Sequence, residues 1–320
     1  MQKKINKIYT TLLASVLIIL LSGCVLDTTY TYEEDNMDIN EVVYEIDENR
    51  TNHIVIINNE EIPWFTNQPY IEINNNIPFF TEEEITKKSF ETYSELDELG
   101  RCGVAYANIN QDLMPTEERG EIGHIKPSGW QTIKYDIVDG NYLYNRCHLI
   151  GFQLAGENDN EKNLITGTRY LNIQGMLDFE NAIAEYVKNT DNHVLYRVTP
   201  IYEEDGLVAL GVLMEGYSVE DNGKGICFNV FAYNTHPGID IDYQTGDNWL
   251  LKEEVQEIGG KVYLANEDGI IYIVNTNTKK YHTEDCTNAQ SIKEENKETF
   301  NGTEEWLKDN GYKPCGVCNP

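Results

Sequence analysis

The sequence predicts an α+β fold, with an antiparallel sheet, one central helix packed on it and a small Cys/His-rich C-terminal unit. Three observations carry this. Short runs rich in β-branched and aromatic residues recur at 104–109, 130–135, 142–144, 194–201, 207–215 and 226–233. Between them Met176, Phe179, Ile183 and Val187 recur at helical spacing, which predicts a helix over about 175–189. His282, Cys286, Cys315 and Cys318 cluster near the C-terminus, beyond a Glu-rich stretch and Gly259-Gly260. Along 194–201, Val194, Tyr196, Val198 and Pro200 alternate with their neighbours, as expected of a half-buried strand.

Taken in order, residues 1–24 read as an export signal. Lys3, Lys4 and Lys7 precede an apolar stretch from about Leu12 to Leu21, which ends in Leu21-Ser22-Gly23-Cys24. The small pair before Cys24 resembles a bacterial lipobox, which implies lipidation of Cys24 and a tether at the outer face of the cytoplasmic membrane. Residues 25–67 are acidic and lack a sustained period, so they are expected to be a spacer with a strand near 53–58. A domain is expected over 68–246. It should open with a helix from Thr81 to Leu99, because Thr81 and Glu84 form a capping-box pattern ahead of Ile85, Phe90 and Leu96. A linker over 247–260 and a module over 261–320 complete the chain.

The net charge of −30 excludes tight binding of nucleic acid through a broad basic surface. The acidity is not confined to tails, since residues 96–245 alone carry ten Lys and Arg against twenty-three Asp and Glu. A partner that is a polyanion must therefore be met at a local basic site.

The segment from Asn145 to Glu180 supplies such a site. Arg146-Cys147-His148 ends an aromatic, strand-like run, an Asn-rich loop follows, and a helix opens near Asn172 and carries Glu180. Histidine is the side chain most ready to accept a proton near neutral pH, so His148 is the candidate general base. Magnesium takes oxygen ligands and retains waters, so the Asn172 amide oxygen suffices to seat it. Arg146 offers a bidentate match to phosphate. On a regular helix Glu180 lies about 12 Å beyond Asn172 and roughly 80° round the axis, which predicts that it acts one water further out. Together these groups suit metal-assisted cleavage of a phosphodiester.

In this order, Arg146-x-His148, Lys162-Asn163-Leu164, Asn172 and Glu180 resemble the DNA/RNA non-specific endonuclease family over about 68–245. The resemblance implies a ββα-metal (His-Me finger) core with His148 as base and Asn172 as ligand of Mg²⁺ or Mn²⁺. Glu180 and Arg146 would assist, DNA and RNA would be substrates, and no obligate protein partner is implied. Two positions depart from the family pattern: Asn145 stands for Asp, and Cys147 for Gly. Asn163 is expected to shape the loop. Lys126, in Lys126-Pro127-Ser128-Gly129-Trp130, reads first as part of a turn and second as a substrate contact. The alternative to an active enzyme is an impaired scaffold that binds nucleic acid or a partner at the surface.

At the C-terminus, Tyr281-His282-x3-Cys286 and Cys315-x2-Cys318 resemble the zinc module of Ada-type repair proteins. Four N/S ligands suit a closed structural zinc site. A disulfide from Cys286 to Cys315 or Cys318 is the competing reading in an exported protein. Either way, the unit is expected to stabilise the chain or dock substrate.

Overall fold

The computed structural model describes residues 44–46 (backbone only), 55–57, 60–65, 68–251, 255–265 and 270–320. Segment 1–24 with Cys24, and most of 25–67, lie outside the described residues. Among those described, no helix is long and apolar enough to cross a membrane.

The central element is a six-stranded antiparallel sheet in the order Tyr70–Glu72, Cys227–Tyr233, Gly211–Ser218, Val194–Ile201, Ala105–Ile109, Phe90–Tyr93. One face packs against the helix Leu177–Thr190, whose Ile183, Ala184 and Val187 meet Ala107, Tyr196, Val198 and Met214. Burying side chains of this size contributes about 1.5–3 kcal/mol each. The helix stops at Asp191, which adopts a left-handed conformation with φ 57° and donates its N–H to Val187 O.

The strand Val194–Ile201 is buried on both faces, not one. The second face is covered partly by residues expected to be spacer. The strand foreseen at 53–58 occurs as Val55–Ile57, and Val55, Ile57 and Ile62 join Leu213 and Phe231 in one apolar cluster. That face also buries an ion pair, with Arg197 directly opposite Glu215 in the ladder and bonded to it at 2.7 and 3.0 Å.

This ion pair explains why the helix predicted over 81–99 does not form. Thr81 does bond to Glu84, but the other Glu84 oxygen accepts from Arg197 at 2.9 Å, so the capping pattern anchors a turn. Ile85, Phe90 and Leu96 lack true helical spacing, and Phe90–Tyr93 is consumed as an edge strand. Tertiary pairing overrides the local signal. Likewise 130–135 forms no strand and makes only a bridge between Lys134 and Tyr142.

A second, two-stranded antiparallel unit, Tyr144–His148 with Leu164–Thr168, precedes the Leu177 helix and supplies the ββα arrangement. The described residues of the expected linker are structured: Asn248–Leu250 pairs with Ile239–Ile241, and Gly259-Gly260 turns a hairpin between Val255–Ile258 and Lys261–Leu264. Both glycines have positive φ, which the turn demands. A four-stranded sheet follows in the order Lys297–Phe300, Tyr272–Asn275, Lys280–Thr283, Lys313–Pro314. Tyr263, Tyr272, Val274, Tyr281, Phe300 and Leu307 form its core under the helix Glu304–Asp309.

Candidate active site

His148 is the last residue of its strand and is buried. One ring nitrogen, Nε2, lies 2.9 Å from Asn158 O. A carbonyl only accepts, so Nε2 carries the proton and Nδ1 keeps its lone pair. Burial, helped by the nearby Arg119 charge, pushes the His148 pKa down to about 4 despite that carbonyl. The ring is therefore neutral at pH 7 and presents Nδ1 as a base.

The group facing Nδ1 is Arg119, with Nη2 at 3.4 Å. Its charge also acts on Glu180. Sequence reasoning missed Arg119, which sits in Glu117-Glu118-Arg119-Gly120-Glu121 without periodicity or spacing to mark it. The one available signal was a lone cation inside an acidic run. Gly120 lets this loop approach, since a Cβ there would lie 2.8 Å from Asn158 Nδ2.

Arg146 sits elsewhere. Its guanidinium donates to the carbonyls of Ile125 and Gly123 and lies 4.1 Å over the Trp130 ring. It fastens the loop that carries exposed Lys126. Asn163 is fully buried and bonds both polar groups of Ile150, shaping the loop as expected.

Asn172 is not a helix cap. It lies inside a π-helical segment, Leu171–Met176, whose first turn is secured by Thr168 Oγ1 accepting from Leu171 N–H. The regular helix assumed from sequence therefore begins only at Leu177, between Asn172 and Glu180. Hydrogen bonds reaching one residue farther wind the chain more slowly, which narrows the angular gap between the two side chains; such segments recur at functional sites. Cys147 stands beside both. Its Sγ donates to Asn172 Oδ1 at 3.3 Å, and the Glu180 charge acts on it. The cysteine fits because Gly167 lies diagonally across the strand pair from it, where a Cβ would come 2.5 Å from Cys147 Cβ.

Glu180, Ile183, Ala184 and Val187 are the buried positions of their helix, so a carboxyl occupies a place in the apolar stripe. Burial pushes its pKa up to about 8, against the opposing pull of the Gly151 N–H and Arg119. Gly151 makes the approach possible, because a Cβ there would sit 2.6 Å from the carboxylate. Asn145 Oδ1 accepts from Arg169 at 3.5 Å, and Arg169 is itself paired with Asp139. The neutral amide leaves His148, Asn172 and Glu180 in place.

These elements form a ββα-metal nuclease core: two antiparallel strands, the first ending in His148, and a π segment and helix presenting an amide oxygen and a carboxyl. Residues 81–220, which hold every one of these groups, match the family model for DNA/RNA non-specific endonuclease. NucA from Streptococcus agalactiae with magnesium ion bound is similar, with a TM-score of 0.50 and 25% identity over 57% of this chain and 90% of that one. The same protein with no metal bound gives 0.50 and 25%, over 57% and 91%. The Sda1 nuclease with bound zinc ion gives 0.48 and 25%, over 58% and 97%.

In the C-terminal unit the ligand atoms of His282, Cys286, Cys315 and Cys318 lie within 4.8 Å of one another. Cys286 Sγ is 3.5 Å from His282 Nδ1 and 4.0 Å from Cys315 Sγ. A disulfide needs about 2.05 Å, whereas tetrahedral zinc with bonds of about 2.3 Å holds sulfurs roughly 3.8 Å apart. The N–H groups of Cys318 and Val317 pull the Cys315 pKa down to about 6, which favours a thiolate ligand. The other three cysteines among the described residues, Cys102, Cys147 and Cys227, are free.

Proposed function

We propose that the chain is a metal-dependent, sequence-nonspecific endonuclease that hydrolyses DNA and RNA. The observation that carries this is a neutral His148 whose Nδ1 lone pair faces an arginine, with Asn172 on a π segment that runs into the helix bearing Glu180. The donor set suits Mg²⁺ or Mn²⁺. Asn172 Oδ1 and the Glu180 carboxyl are oxygen donors, and a buried carboxyl with a raised pKa is a group that a cation would ionise. A divalent ion held there would supply Lewis-acid stabilisation of charge on the phosphate and the leaving 3′ oxygen.

The chain's own groups do the rest. Arg119 binds phosphate oxygens and turns away from Nδ1 as it does so. His148 Nδ1 then takes a proton from water while the water oxygen bonds to phosphorus and the sugar oxygen departs with its electron pair. Asn158 O holds the ring through Nε2–H. None of these contacts reads a base, which agrees with lack of sequence specificity. Arg146 holds the 123–130 loop and Lys126 along the substrate. The same reading places the protein outside the cytoplasmic membrane, anchored through Cys24; its support is the order of charged, apolar and small residues in 1–24.

The test is nicking of supercoiled plasmid and cleavage of RNA by purified protein lacking residues 1–24. Activity is expected with Mg²⁺ or Mn²⁺ and none with excess EDTA; undiminished cleavage in EDTA would remove the metal from the account. For the C-terminal cluster we infer structural zinc. One equivalent should copurify under reducing conditions and disappear in Cys315→Ser/Cys318→Ser. Metal-free protein with Cys286 in a disulfide by mass spectrometry would decide for the competing reading.

A further inference from the structure

The register of the C-terminal sheet places like charges side by side. Lys297 pairs with Asn275, Asn275 with Lys280, and Lys280 with Lys313, so one row across the four strands reads Lys, Asn, Lys, Lys. Register partners share a face, and side chains two apart on a strand share it too. The row therefore lies on the face that carries Ile273, His282, Thr299 and Cys315, beside the Cys/His cluster. The opposite face carries the apolar core, and with it Glu298 and Glu304, the latter accepting from Tyr281 OH. Lys280 and Lys313 are exposed. Lys297 has Glu294 at 4.0 Å, the limit of an ion pair, and Glu294 is itself almost wholly exposed.

Like charges directly opposite destabilise a sheet. In a chain of net charge −30, three lysines in one row stand out against the acidic background. Neighbouring strands are about 4.8 Å apart, so the row spans roughly 14 Å, long enough to meet several consecutive phosphates of one strand. The amide of Asn275 and the hydroxyl of Thr299 add neutral donors on the same face. We propose that the Lys297–Asn275–Lys280–Lys313 row docks the phosphodiester backbone of the substrate and holds polymer near the active domain. This rests on the nuclease reading for the identity of its ligand.

The test is binding of a labelled DNA duplex to the full chain carrying His148→Ala, compared with the same chain also carrying Lys280→Gln, Lys297→Gln and Lys313→Gln. The slope of log affinity against log salt is expected to fall by about 2 to 3, one per lost phosphate contact. In the active chain the triple substitution should raise KM for long DNA and leave kcat on a short oligonucleotide unchanged. Equal affinity and slope for the two chains overturns the proposal, as does weakened binding only to anionic phospholipid vesicles. Should the Gln variant lose its circular-dichroism signal, a triple Lys→Arg variant decides, since it must keep the parent slope. A wild-type chain that binds duplex through the row but cleaves nothing with Mg²⁺ would sink the enzyme reading alone.

Discussion

Replacing Arg119 by alanine is expected to lower kcat on plasmid DNA by about 10²–10³-fold, the usual cost of removing one preorganised donor to transition-state charge. Arg146→Ala should behave differently. Its guanidinium is committed to the Ile125 and Gly123 carbonyls and to the Trp130 ring, so its loss frees a loop. That should raise KM more than it lowers kcat. Steady-state kinetics on the two variants check this, and an Arg119→Ala enzyme with wild-type kcat would remove Arg119 from the chemistry.

The second large effect concerns stability. Without added metal, folded Glu180 holds its proton up to about pH 8, whereas the unfolded side chain releases it near 4.5. Between those values the folded state binds one more proton, so stability is fully present below 4.5 and is lost as pH rises through about 8. His148 has the opposite sign. Its folded pKa of about 4 lies below the unfolded 6.5, so it costs stability as pH falls from 6.5 toward 4. The two slopes oppose each other between 4.5 and 6.5, and only that of Glu180 persists above. From pH 6.5 to 8 the wild type should lose about 2 kcal/mol relative to Glu180→Gln, at about 1.4 kcal/mol per pH unit. Urea unfolding of both proteins at the two pH values measures it; parallel pH dependences would contradict a buried, protonated carboxyl.

Much of this was legible in the sequence because the signals are local. The strand at 194–201 followed from alternation, and the helix near 175–189 from spacing. His148, Asn172 and Glu180 are proposed as site residues from their order alone. What failed was set by tertiary contact. The capping pattern at Thr81 was real but served a turn, because a buried arginine over a hundred residues away claimed Glu84. The distance and angle expected between Asn172 and Glu180 hold for an α-helix, and a π segment lies between them. Arg119 came from a loop with no pattern, and only folding brings it to His148. Cys147 departs from the family pattern, and its compensation, Gly167, sits on the neighbouring strand where no short motif reaches. At the C-terminus the ligand types were readable, while the lysine row needed the strand register.

In the proposed reaction His148 Nδ1 accepts the proton from the attacking water. The most direct measurement is the single-turnover rate of plasmid nicking by wild type and by His148→Ala at saturating Mg²⁺, with circular dichroism confirming that both are folded. The account predicts a rate lower in the variant by about 10²–10⁴-fold. Rates within a few fold of each other, at measurable wild-type activity, would contradict it.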